Sequence, residues 1–135
     1  QLKESVEEHI NSIKNIVDQM KQVPHVQVMG EWSAALTDCA HWLNGVGRGA
    51  RYDNTFQGNG FIGGCTFSND YSKLTNTDKV NTMKIIKAQL HLYSQLNGFF
   101  FWTWKTENAV EWSLEKLNEL GLFPHPATLS TDYLN

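Results

Sequence analysis

Hydrophobic patterning alternates between a helical and a strand-like period along this chain, and the alternation limits the folds it can adopt. Each half begins with apolar residues that recur at steps of three and four, as in a helix. A short β-type run comes next, and a second helical pattern follows it. Because such alternation builds parallel strands joined by crossovers, the sequence predicts an α/β fold. The predicted elements are a helix at 2–22, a strand at 25–30, a helix at 33–43, a loop at 45–78, a helix at 80–93, a strand at 99–104, a helix at 111–120 and a tail around Pro124 and Pro126.

The first predicted strand carries a carboxylate at its end. Its alternation predicts Gln27, Met29 and Glu31 on one side, while Ser33 is placed to cap the next helix. A carboxylate at the C-terminal end of a strand, just before a helix, is where α/β barrels keep their chemistry. The second predicted strand is rich in aromatic side chains, which also stack on the faces of sugars. Together, the acid and the aromatics indicate a sugar-processing cleft.

The predicted loop at 45–78 is long for a compact domain. It holds seven of the ten glycines and both arginines of the chain, and loops of this length usually have a function. Its glycine run at 45–49 lacks the Gly-Lys-Ser/Thr ending and the spacing of a phosphate loop, so nucleotide binding is not predicted.

Charge and composition exclude several classes of function. The net charge is −3, from 11 basic and 14 acidic residues without a basic cluster, which argues against nucleic acids and anionic membranes as partners. No apolar run reaches the roughly 18 residues of a membrane span. No Cys-x-x-Cys or His-x₃-His spacing supports a zinc site, so neither a metal nor a cofactor is predicted.

The two cysteines, Cys39 and Cys65, are consistent by spacing alone with a disulfide or with two buried free thiols. A disulfide would close a loop of 27 residues, both ends counted. It would stabilise the fold by roughly 3.5 kcal/mol in the chain-entropy model.

Several segments resemble the fungal exo-β-1,3-glucanases of glycoside hydrolase family 5. The segment around Glu31 is similar to the one that carries the nucleophile of that family, and the similarity continues in register through nearly the whole chain. The matching stretches are Gly30-Glu31-Trp32-Ser33-Ala34-Ala35-Leu36-Thr37-Asp38-Cys39, Trp42-Leu43-Asn44-Gly45, Arg48-Gly49-Ala50-Arg51-Tyr52, Ala88-Gln89-Leu90, Phe101-Trp102-Thr103-Trp104-Lys105-Thr106-Glu107-Asn108, Glu111-Trp112 and Gly121-Leu122-Phe123-Pro124.

The resemblance implies a site as well as a fold. The fold would be the C-terminal portion of a (β/α)8 TIM barrel, strands seven and eight with their flanking helices. Glu31 would be the nucleophile of a retaining double displacement that removes glucose from the non-reducing end of β-1,3-glucan. Trp102 would be the platform under the sugar, and Asn44 and Arg48 would bind substrate in the outer cleft.

The resemblance also implies a disulfide between Cys39 and Cys65, tying the helix after Glu31 to the long loop. A disulfide favours a secreted or cell-wall enzyme.

The chain departs from the family in length. A complete barrel needs roughly 200 to over 400 residues, and the general acid of the family, preceded by Asn on the fourth strand, has no counterpart at a strand end here. Residues 1–135 are therefore expected to be the C-terminal fragment of one catalytic domain, inactive and unstable without the N-terminal remainder of the barrel. Two other interpretations stay open: a glucan transglycosylase, and a non-catalytic glucan-binding or structural fragment. Glu107 and Glu111 are interpreted as structural acids, paired with Lys105 or arginine.

Overall fold

A computed structural model describes residues 4–58 and 60–124. Helix α1 spans Val6–Met20 and confirms the first predicted helix within the described residues. It begins at a capping box, in which the Ser5 hydroxyl accepts from the Glu8 N–H (3.2 Å) and the Glu8 carboxylate accepts from the Ser5 N–H (2.7 Å). Pro24 follows shortly after its end, where proline cannot continue a helix.

The two predicted strands form one parallel pair. Strand β1 spans Val28–Trp32 and strand β2 spans Gly98–Phe101, with Val28 opposite Gly98 and Trp32 opposite Phe101. Both were predicted with displaced boundaries, so Glu31 lies inside β1 and not just after it. The described part is thus a mixed helix and strand domain with two parallel strands.

Two helical segments precede β2. Helix α2 is a single short turn, Thr66–Asn69, inside the predicted loop, and a 3₁₀ turn follows at Tyr71–Lys73. Helix α3 spans Asn76–Tyr93 and begins four residues before the predicted start. The earlier start follows from a capping box between Thr75 and Asp78.

A bulge in β1 changes which side chains share a face. Met29 pairs with Phe99 and Trp32 pairs with Phe101, so two residues of β1 oppose one residue of β2 between these pairs. The extra residue reverses the alternation: Met29 packs against the core that contains Trp32, whereas Glu31 is exposed. The prediction that Met29 and Glu31 share a side was therefore wrong.

The predicted helix at 33–43 was also wrong, because this segment is a loop. The Ser33 hydroxyl accepts from the Ala35 N–H (3.2 Å), and the Thr37 hydroxyl accepts from the Cys39 N–H (3.3 Å). The Ala34 N–H donates to the carbonyl of Glu111 (2.9 Å), far along the chain. Such side-chain and long-range bonds compete with the helical ladder, and here they replace it.

The disulfide between Cys39 and Cys65 is present, with the two Cα atoms 5.2 Å apart. It joins the loop after β1 to the residue that precedes α2. The disulfide therefore joins the long loop to another loop, and not to a helix as the resemblance implied.

The last predicted helix is divided into two parts. A 3₁₀ turn spans Val110–Trp112, and helix α4 spans Leu114–Glu119, with Ser113 as its N-cap. The predicted tail is described only as far as Pro124, and Pro126 lies outside the described residues. A core of buried side chains from α1, α3, α4 and the sheet holds these elements together: Ile13, Val17, Trp32, Ile85, Ile86, Leu90 and Leu117.

Within residues 4–58 and 60–124, no helix has the length and apolar character needed to span a bilayer. In the same residues, no three His, Cys, Asp or Glu side chains are grouped so as to hold a metal ion.

Candidate functional site

Glu31 occupies the bulge near the C-terminal end of β1. Its side chain is exposed, and no described hydrogen bond or ion pair within residues 4–58 and 60–124 engages its carboxylate. Bulges recur beside active sites because the extra residue re-aims a side chain out of the strand alternation. The fold therefore presents the Glu31 carboxylate to solvent, where a ligand can reach it.

Trp102 stands beside it, directly after the end of β2. Its N–H donates to the carbonyl of Trp32 (2.8 Å), which extends the pairing of the two strands by one residue. The next residue, Thr103, donates its N–H to the carbonyl of Trp112 (2.8 Å), and the Trp102–Thr103 peptide bond is cis. The indole is 57% exposed. The structure thus brings Glu31 and Trp102 to the same end of the parallel sheet.

An aromatic cluster supports this end of the sheet from inside. Trp32 is 5% exposed, and its ring lies edge-on to Phe101 (4.9 Å between centroids) and to Tyr93 (5.5 Å). Phe123 packs against both Trp32 and Phe101. Sequence reasoning assigned Trp32 no role, although its place next to Glu31 in the strand was a usable signal. Tight packing of this ring positions the backbone that carries Glu31.

Asn44 and Arg48 lie in the loop that follows β1. The Asn44 amide nitrogen donates to a carboxylate oxygen of Asp38 (2.9 Å) and to the carbonyl of Gly49 (3.0 Å), and its oxygen accepts from Arg51 (3.2 Å). Asn44 therefore holds the loop together, and its predicted contact with substrate stays a prediction.

The Arg48 guanidinium lies over the ring of Phe56, 5.5 Å from its centroid. The side chain is exposed, and no ion pair in the described part of the chain uses it. It is therefore available to a ligand, and its predicted role in binding substrate also stays a prediction.

Asp38 organises this loop, and sequence reasoning missed it. Its carboxylate is buried and accepts from the backbone N–H groups of Arg51 (2.9 Å) and Tyr52 (3.1 Å), as well as from Asn44. Desolvation acts to raise the pKa of Asp38, but the hydrogen bonds from Arg51, Asn44 and Tyr52 outweigh it and hold the pKa below its ordinary value. The chain that follows β1 is therefore shaped by one ionised side chain.

Glu111 lies in a separate environment. It is 5% exposed, and neither carboxylate oxygen makes a hydrogen bond of standard geometry. Burial raises the pKa of its carboxyl. The backbone N–H of Glu111 and, less strongly, the nearby buried Ser68 hydroxyl oppose that rise only in part. The predicted ion pair of Glu111 was wrong, since Lys105 pairs with Glu115 (3.4 Å).

The Glu111 side chain lines a cavity of about 290 Å³. The other lining side chains are mostly apolar, and two further acids, Glu4 and Asp78, also lie around it. Neither Glu31 nor Trp102 is part of this lining. Glu111 therefore faces a cavity, whereas Glu31 and Trp102 lie on the exposed surface.

Comparison with curated proteins finds fungal relatives along most of the chain. Glucan 1,3-beta-glucosidase 2 of Wickerhamomyces anomalus is 44% identical over 133 residues, which cover 95% of this chain and 31% of the relative. Glucan 1,3-beta-glucosidase of Kluyveromyces lactis is 46% identical over 128 residues, 92% of this chain and 30% of the relative. Glucan 1,3-beta-glucosidase of Schwanniomyces occidentalis is 44% identical over 126 residues, with 93% and 30% covered.

The resemblance to fungal glucanases is thereby confirmed. The chain spans about 30% of the length of the curated relatives that it matches. No protein-family profile matches the chain.

Proposed function

Because fungal proteins named glucan 1,3-beta-glucosidase are homologous to nearly the whole chain, we propose that it is the nucleophile-bearing, C-terminal part of a retaining β-1,3-glucan hydrolase. Strands β1 and β2 would be the seventh and eighth strands of a (β/α)8 barrel. The observation that carries the proposal is the exposed carboxylate of Glu31, which no contact among the described residues engages, beside the exposed indole of Trp102, at the C-terminal ends of adjacent parallel strands. In barrels of this class, chemistry takes place at that end.

The reaction proposed for Glu31 has two steps. Its carboxylate attacks the anomeric carbon of the terminal glucose, the glycosidic C–O bond breaks, and an acid elsewhere in the protein protonates the departing oxygen. The same acid, now a base, then takes a proton from water, which attacks the anomeric carbon and releases Glu31. Two displacements at one carbon retain the β configuration. Trp102 would carry the glucose ring during both steps.

The general acid is expected outside this chain. In retaining enzymes the two carboxyl groups lie about 5–5.5 Å apart. The Asn118-Glu119 pair lies in α4, where Glu119 forms an ion pair with Lys116, so it does not stand at a strand end. Without an acid the leaving oxygen departs unprotonated, and the 135-residue chain alone should be inactive.

Covalent trapping tests the nucleophile. The full-length protein would be incubated with 2,4-dinitrophenyl 2-deoxy-2-fluoro-β-glucoside, whose fluorine slows the second step more than the first. Mass spectrometry should find one fluoroglucosyl group for each protein, on the peptide that contains Glu31. Glu31→Gln should abolish this label, because the amide is a poor nucleophile. Glu107→Gln, the matched change at an exposed acid after β2, should retain it.

Other outcomes discriminate between the remaining interpretations. A label on a different residue overturns the assignment of Glu31. Binding of the glycoside without a label favours a non-catalytic glucan-binding fragment. A label that is released faster by added glucose oligomers than by water favours the transglycosylase, since both enzymes share the covalent intermediate.

A secreted or cell-wall location is part of the same proposal. It is supported by the Cys39–Cys65 disulfide, since such bonds persist in oxidising compartments.

A further inference from the structure

Trp42 adopts a backbone conformation that disfavours a large side chain. The N–H of Leu43 donates to the carbonyl of Ala40 (3.2 Å), which closes a turn with Trp42 as its third residue at φ 62°. Glycine is the usual residue at a turn position with positive φ, because it has no Cβ to clash with the backbone. A bulky residue there is a genuine outlier.

Burial does not compensate for this conformation. The Trp42 indole is 64% exposed, and its described ring contact is with the neighbouring residue His41, at 6.0 Å between centroids. Leu43 and Val46, at 48% and 85% exposed, continue the apolar surface. Within residues 4–58 and 60–124, the turn therefore presents the indole to solvent in an unfavourable conformation, with little packing against it. Unfavourable backbone conformations of this kind concentrate at ligand sites.

The backbone beneath the indole is firmly held. The carbonyl of Trp42 accepts from the Gly45 N–H (2.8 Å), and the amide of Asn44 bonds to Asp38 and Gly49. Cys39, three residues before Trp42, is anchored by the disulfide. An aromatic ring on a fixed base loses little conformational entropy when it binds a ligand. These features suit a platform that is ready before the ligand arrives.

We propose that Trp42 is a stacking platform for a β-1,3-linked glucan chain, beyond the glucose unit held at Glu31 and Trp102. An uncharged pyranose ring offers C–H groups that pack on the face of an indole, and no charged partner is required. Asn44 lies in the next turn, which closes where the Gly45 N–H donates to the Trp42 carbonyl, so the platform joins the loop already predicted to contact substrate. The assignment rests on the proposed function and adds a preference for long substrates.

Trp42→Gly in the full-length protein tests the platform, since glycine is compatible with the turn and removes the ring. The affinity for a β-1,3-linked glucohexaose, measured by calorimetry with Glu31→Gln present in both proteins so that the ligand is not hydrolysed, should fall about tenfold, equivalent to about 1.4 kcal/mol. The loss of kcat/KM should be about tenfold larger for a long β-1,3-glucan than for an aryl β-glucoside. The melting temperature should not fall, because the turn is relieved. Trp42→Phe should recover most of the binding, and Val46→Ala, in the same exposed loop, should bind like the unchanged protein.

Three results would overturn the platform. The first is equal loss on the long and the short substrate, and the second is unchanged affinity for the glucohexaose. The third is a lower melting temperature for Trp42→Gly, which would mean that another part of the longer protein, or a second copy, packs on the ring. Failure of the hydrolase proposal is seen separately, as no turnover and no label on Glu31 in the unchanged protein. The calorimetric measurement still tests Trp42 in that case.

Discussion

Two glutamates of this chain lie in opposite environments, although their side chains are chemically identical. Glu31 is lifted out of the strand alternation by a bulge and faces solvent. Glu111 is held in a 3₁₀ turn, where its backbone carbonyl bonds to Ala34 and its side chain is buried beside a cavity. Burial of the carboxyl favours the neutral acid, so Glu111 should oppose folding whenever it must ionise.

The sign of its pH effect follows from the raised pKa. Below the ordinary value of 4.5, Glu111 is protonated in both the folded and the unfolded state. As the pH rises above that value, the unfolded state loses its proton first, so the free energy of unfolding decreases until the folded-state pKa is passed. The slope from one such group approaches about 1.4 kcal/mol per pH unit.

Glu111→Gln should therefore be nearly neutral for stability below pH 4.5 and increasingly stabilising as the pH rises above 4.5. Urea denaturation of the full-length protein at several pH values measures the difference. Glu107→Gln, at an exposed carboxylate nearby, is the control and should give a constant difference. A constant difference for Glu111→Gln would contradict its burial as a neutral acid.

The element that departs most from expectation is the segment after β1. Its sequence has helical periodicity, yet it forms a loop held by the Asp38 carboxylate, the Cys39–Cys65 bond and the Ala34 N–H bond to Glu111. Each of these joins residues at least 13 positions apart. Local propensity amounts to less than 1 kcal/mol per residue, so a few long-range bonds outweigh it.

Asp38→Asn should weaken this loop. The amide can satisfy only one of the two backbone N–H groups at full strength, so about 1–3 kcal/mol of the free energy of unfolding should be lost. Because the pKa of Asp38 is lowered in the folded state, its contribution should be present at neutral pH and fade as the pH falls through that pKa.

Urea denaturation with the disulfide intact measures the loss. Asp18→Asn on α1, where an exposed carboxylate pairs with Lys14, is the matched control and should change stability little. If the two variants prove equally stable, Asp38 does not organise the loop.

At the scale of the whole molecule, the described part leaves apolar surface uncovered. The sheet has two strands, and Val28, Phe100 and Trp104 are 41%, 65% and 62% exposed. A short sheet with open edges and exposed aromatic side chains is prone to pair with other chains. In the proposed barrel these surfaces would face the other strands.

The isolated 135-residue chain should therefore self-associate and unfold without a sharp transition. Light scattering should give a mass that rises with concentration, and a hydrophobic dye should bind more strongly than to the full-length protein. Soluble monomer with one cooperative unfolding transition would contradict the proposal that residues 1–135 are part of a larger domain.

The order of residues was enough to predict the features that depend on local pattern and on the resemblance. Helical periodicity predicted α1 and α3, and the alternation of patterns predicted the parallel pairing of β1 with β2. The resemblance, carried by stretches along nearly the whole chain, led to fungal homologues that match over the same extent. These inferences succeed because residue periodicity and matching stretches can be read directly from the order of residues.

Other features became visible only in the folded chain. The bulge at Glu31, the loop in place of a helix and the burial of Glu111 depend on contacts between residues far apart in the chain. The positive φ of Trp42 and the exposure of its indole likewise could not be predicted from the order of residues. The physical reason is common to all four. In each case, contacts with distant residues or exposure to solvent override the local preference of the sequence, and these exist only once the chain has folded.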